Sequence, residues 1–182
     1  MNGESELTRI VKPAALAQDP LRIEPSEAER DALAERFSVS AIPAMKAVVA
    51  LNRDGEFTTA HGTLEATIVQ PCAVTGDDLS YDVAEPIALR FAPERSASEA
   101  SAEEEIELAS EELDEISYRG DGFDLGEAIA QTLGLSIDPY REGPGADDAR
   151  KSAGIVSDEE APRGPLADAL AKLKDSPSDA QN

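Results

Sequence analysis

Cysteine is almost missing from this chain: Cys72 is the only one in 182 residues. One thiol cannot close an internal disulfide, and it cannot anchor a thiolate zinc site. Histidine is as scarce, with His61 alone, so imidazole chemistry has a single candidate. Tryptophan is absent, and four Phe and three Tyr leave aromatics at 4%. The core must therefore come mainly from Leu, Ile, Val and Ala. Positive charge is also short. Sixteen Lys and Arg stand against 38 Asp and Glu, a net charge of −22. That balance argues against direct binding to nucleic acid, DNA included, because phosphate binding rests on Lys and Arg releasing counterions. It argues equally against an anionic membrane surface. No apolar run reaches the length that spans a bilayer. The opening MNGESELTRI has neither the basic nor the apolar region of a secretory signal, so the expected location is a reducing cytoplasm.

What is present is a set of short alternating segments. Leu64, Ala66 and Ile68 alternate with Thr63, Glu65 and Thr67, the period of a half-buried strand. Pro71 cannot donate to a ladder, so the strand is expected to end or bulge there, with Cys72 on the break. Upstream, Ser26 and Glu29 form a capping box that opens a helix running to about Phe37. A strand from Ala44 to Arg53 meets Asp54-Gly55, a type I′ hairpin signal. The return strand, Phe57 to Gln70, contains Gly62, read as a bulge. A turn at Thr75–Asp78 leads to a strand over Tyr81–Phe91, where Pro86 indicates an edge or a bulge. The expected fold is α+β: an antiparallel sheet meander packed by two helices.

From residue 94 to 114 the composition shifts. Nine acids lie between Glu99 and Glu115 with no Lys or Arg among them. This insert reads as an exposed, disordered acidic loop, with two readings of its charge: a solvated surface loop, or, more sharply, a docking segment for a basic protein. The positions expected to carry docking are Glu103, Glu104, Glu105, Glu111 and Glu112. Order resumes with a short strand at Glu115–Tyr118. Asp124-Leu125-Gly126-Glu127 then caps a second helix, which Gly134 is expected to end. The domain map is one α+β domain over 1–140, a linker over 141–164, a short amphipathic helix over 165–174 and a tail over 175–182.

Chemistry-bearing patterns are few. Cys72 and His61 lie eleven residues apart on what reads as one strand, on the order of 35 Å if it is continuous. A Cys–His dyad is not expected, and Cys72 reads as a small buried residue at a strand end. Asp121-Gly122-Phe123-Asp124 lacks the alternating ligands of a calcium loop. Gly143-Pro144-Gly145 lacks the spacing and the Lys of a phosphate loop. No catalytic, metal or cofactor site is expected, and the chain reads as a non-enzyme. An enzyme with a paired-acid pocket is the remote alternative.

Three pieces together resemble the YceD family, named for large ribosomal RNA subunit accumulation. The first is Gly62 to Cys72, ending Val69-Gln70-Pro71-Cys72. The second is Ile116 to Leu135, with Asp124-Leu125-Gly126-Glu127. The third is Ile137-Asp138-Pro139-Tyr140-Arg141 with Pro144-Gly145-Ala146, which is similar to the alphaproteobacterial branch. The resemblance implies a role in large ribosomal subunit biogenesis, with a basic ribosomal protein or rRNA as partner. It carries over Cys72, Asp124, Leu125, Gly126, Glu127, Pro139, Tyr140 and Arg141 as motif positions. The wider family often has Cys-x-Arg-Cys where this chain has Val69, Gln70, Pro71 and Cys72. The first Cys and the Arg are absent, and roles that need them are not carried over. The competing reading is an acidic protein-interaction module unrelated to ribosomes.

Overall fold

Three long strands carry the fold of the computed structural model, which describes residues 5–94, 114–155 and 164. They are β3 (Ala41–Asp54), β4 (Phe57–Pro71) and β5 (Asp78–Pro93), joined as an antiparallel meander. Two short strands flank them. β2 (Leu21–Ile23) pairs antiparallel with β3, and β6 (Asp114–Tyr118) pairs with β5. A separate small sheet joins β1 (Ile10–Val11) to β7 (Phe123–Asp124). The helices are α1 (Glu27–Phe37), α2 (Leu125–Ser136) and α3 (Ala146–Ser152).

The expected meander is present, with one departure: β6 runs parallel to β5, not antiparallel. A parallel neighbour needs a crossover of a dozen or more residues. Residues 95–113, between the two strands, supply that length. The acidic docking positions Glu103, Glu104, Glu105, Glu111 and Glu112 lie outside the described residues, as does the helix expected at 165–174.

Alternation along the strands sorts the side chains. Ala60, Leu64, Ala66, Ile68 and Gln70 of β4 are buried, while His61, Thr63 and Glu65 between them are exposed. The buried set meets Val49 of β3, Phe91 of β5, Leu33 of α1, and Leu125, Ile129 and Leu133 of α2. Each large aliphatic so enclosed contributes about 1.5–3 kcal/mol. Phe91 and Phe123 stack with centroids 3.9 Å apart, tying the small sheet to the large one.

Several local expectations shift. The hairpin loop is Gly55-Glu56, since Asp54 and Phe57 pair directly. Gly55 has φ 61 and Ser38 is the only positive-φ non-glycine described, so the turn has the type II′ pattern, not type I′. Gly62 is not a bulge, because both its ladders run through it in register. Its role is close approach: a Cβ there would lie 2.0 Å from the Val48 carbonyl oxygen. The irregularity falls instead between Ala41 and Ala44. Pro86 keeps register with Thr63 and sits where β5 has no partner on its other side. Gly134 does not end α2, which continues to Ser136; a Cβ there would lie 2.8 Å from the Phe37 ring. Part of the stretch read as linker is structured, with α3 inside it and Ala146 buried.

Candidate functional site

The motif positions gather in two places. The first is the corner where β4 ends. Gln70 falls on the buried parity of its strand and is 4% exposed. A buried amide must find partners, and this one does. Its Nε2 donates to the Asp138 carbonyl at 2.8 Å, and the Tyr81 hydroxyl donates to its Oε1. The segment after α2 is thereby pinned to the end of β4. A second tie follows, from the Ala73 amide to the Arg141 carbonyl at 3.0 Å. The Arg141 guanidinium lies 3.7 Å over the Tyr81 ring. Burial raises the Tyr81 pKa, the Asp138 carboxylate pushes the same way, and Arg141 opposes them.

Cys72 is the hub of this corner. Pro71 closes the strand, and the chain then turns tightly: the Cys72 amide donates to the Asp77 carbonyl at 2.7 Å, and the Gly76 amide to the Cys72 carbonyl at 2.9 Å. The turn aims backbone donors at the sulfur. The amides of Val74 and Thr75 donate to Sγ at 3.4 Å each, and that of Gly143 at 3.2 Å. The Thr75 side chain, followed by these amides, lowers the thiol pKa to about 7. The thiol is buried, and His61 lies eleven residues back on the continuous strand β4, so no imidazole stands beside it. The sulfur therefore acts as an acceptor that fixes the 141–143 segment. Pro139, Tyr140 and Arg141 form the outer rim of the corner, and Tyr140 is 80% exposed.

The second place is the start of α2. Asp124 caps the helix: its Oδ1 accepts from Gly126 N at 3.0 Å and Glu127 N at 3.2 Å. The same oxygen takes Arg9 N at 2.8 Å. Leu125 is fully buried. Gly126 lets the N-terminal segment pass, since a Cβ there would lie 2.2 Å from the Leu7 carbonyl oxygen. Glu127 receives both guanidinium nitrogens of Arg36 from α1 at 2.9 and 2.8 Å, and the Ser5 hydroxyl at 2.7 Å. Arg36 holds the Glu127 carboxyl down at about pKa 2, with Ser5 and Gln131 helping. These four residues bind the N-terminal segment, α1 and α2 into one unit. They sit at the opposite end of α2 from the Cys72 corner, about 18 Å away for twelve residues of helix.

The sequence named Cys72 and the Pro139–Arg141 strip separately, and the structure brings them into one corner. Sequence reasoning missed Gln70 and Tyr81. Their signal was the parity of β4, which puts an amide where an aliphatic belongs.

A groove of about 670 Å³ crosses the sheet where Ala44, Thr67 and Asp82 share one register row. It is lined by Glu24, Arg30, Lys46, Glu65, Thr67 and Asp82 among others. Lys46 pairs with Glu65 at 2.8 Å, and Thr67 donates to Asp82 at 2.7 Å. Arg30 is spent on the carbonyls of Ile42 and Pro25. Among the described residues no three His, Cys, Asp or Glu converge as a metal ion requires, and no helix is long and apolar enough to cross a membrane.

Residues 60–175 match the family model described as large ribosomal RNA subunit accumulation protein YceD. That span is more than half of the chain and contains both motif clusters. No curated protein and no solved structure matches the chain.

Proposed function

The chain belongs to the YceD family, and from that membership we propose that it is a non-enzymatic cytoplasmic factor in the making of the large ribosomal subunit. Its partner in this reading is a basic large-subunit ribosomal protein, which it holds or delivers during assembly. The observation that carries the choice of partner is the charge of −22, concentrated after residue 60. There nine Lys and Arg face 28 Asp and Glu, against seven and ten before it. A field of that sign repels rRNA and attracts ribosomal proteins, which are basic because they bind rRNA.

The structured clusters support this division of labour. The Asp124–Glu127 cluster is consumed in holding the domain together, and the Cys72 sulfur in holding the 141–143 segment. What is left to meet a partner is the acidic sequence of Glu103–Glu112 and the exposed rim at Pro139–Arg141. Capture of the tagged chain from lysate, with and without nuclease, tests the reading. Large-subunit proteins retained after nuclease support it. Their loss on nuclease treatment assigns rRNA as the partner, and capture of no ribosomal component contradicts it.

A further inference from the structure

Among the described residues, one side of β5 is unpaired over most of its length. β4 pairs with it along its length, but β6 covers the other side only over Leu89–Pro93. From Asp78 to Ala88 no backbone–backbone hydrogen bond leaves that side among the described residues. An open edge of this length is a template for one more strand, and proteins blunt such edges when they serve no purpose. Here the device against self-pairing is charge: Asp78, Asp82 and Glu85 lie along the edge, and a second copy of a −22 chain would bring the same acids against them. A basic strand meets the opposite situation.

We propose that the free edge of β5 binds an extended, basic segment of the partner by strand addition. The inference rests on the reading above that the partner is a basic protein, and it names how that protein is held. Main-chain hydrogen bonds would supply affinity, and alternating side chains specificity. The two faces beside the edge differ. Asp78, Ser80, Asp82 and Ala84 are exposed on one face, where the groove with Glu65 and Glu24 also opens. Leu79, Tyr81 and Val83 are half-buried or buried on the other. The matching strand therefore alternates Lys or Arg with apolar residues. Pro86 offers no N–H, so the usable edge is its first part, Asp78–Glu85, about 26 Å of strand.

The test uses the full chain and two synthetic octapeptides of one composition, alternating Arg-Val and a block of four Arg then four Val. Binding is read by fluorescence anisotropy and by backbone hydrogen exchange. The expected result is at least tenfold tighter binding of the alternating peptide, with slowed exchange confined to amides within 78–88. Ala84→Lys places a positive charge on the edge without removing any bond. It is expected to weaken the alternating peptide at least tenfold at unchanged melting temperature. Equal binding of both peptides, protection elsewhere, wild-type binding by Ala84→Lys, or a homodimer buried at 78–88 would each overturn the proposal. Peptides that bind equally while basic ribosomal proteins are still captured would leave the reading above standing and remove only the edge.

Discussion

The amide of Gly143 donates to the sulfur of Cys72 at 3.2 Å, joining two residues 71 apart in sequence. This bond, with the Ala73 amide on the Arg141 carbonyl, turns the first and third motif pieces into one corner. A thiol surrounded by donors is held toward its anion. Its pKa of about 7 lies below the roughly 8.5 of an unfolded cysteine. The sign follows: the thiolate's contribution to stability is full above the unfolded value and is lost as pH falls through about 7. Thiolate absorbance in the folded protein should titrate with a midpoint near 7, and Cys72→Ala should abolish the transition. A midpoint at the ordinary cysteine value would contradict the arrangement.

Cys72→Ala should also loosen the corner without abolishing function. Hydrogen exchange at Gly143 is expected to accelerate while exchange in the centre of β4 stays slow. Loss of partner binding with unchanged exchange at Gly143 would assign the thiol a direct role in place of a packing one.

Glu127 and Arg36 contribute to the acid limit of the fold, as does Glu29, which Arg9 holds at about 2. The Glu127 carboxyl, held at about 2, supports the folded state above its unfolded value and is lost as pH falls through about 2. The pair is partly screened by solvent, so Glu127→Gln should cost about 1–3 kcal/mol at pH 7. The cost should vanish near pH 2. A variant as stable as wild type at neutral pH would show the pair to be ornamental.

At Gly126 space is the constraint. A Cβ 2.2 Å from the Leu7 carbonyl oxygen cannot be accommodated without moving backbone. Gly126→Ala should therefore destabilise by about 2 kcal/mol or more and expose the N-terminal segment to protease. Asp124→Ala, which removes only a cap and the Arg9 contact, should cost about 1 kcal/mol. Equal melting temperatures for the two variants would mean the segment can step aside.

Local features were legible in the sequence because their physics is local. Ser26 and Glu29 cap α1 reciprocally, Asp124 caps α2, and Leu64, Ala66 and Ile68 are buried as their period requires. The misreadings share a cause. Gly134 is a good helix terminator in isolation, but tertiary packing against Phe37 overrides that preference. Gly62 looked like a bulge because the approach of Val48 cannot be seen from one strand. The parallel partnership of β6 depends on a crossover whose direction no period encodes. At the candidate site, Asp138 meets Gln70 and Arg36 meets Glu127 across 68 and 91 residues, and nothing in either neighbourhood names the other.

The acidic stretch makes a kinetic prediction. Replacing Glu103, Glu104, Glu105, Glu111 and Glu112 by Gln should slow association with a basic large-subunit protein about tenfold at low salt. The difference should disappear near 1 M salt, where screening acts within about 3 Å. Melting temperature should hardly change. Wild-type association at low salt would leave the stretch as solvated surface alone.

The central claim is a role in large-subunit biogenesis, and it is tested most directly by the ratio of large- to small-subunit rRNA in cells depleted of the chain. The ratio should fall on depletion and recover when the wild-type chain is restored. An unchanged ratio through several generations of depletion would contradict the account.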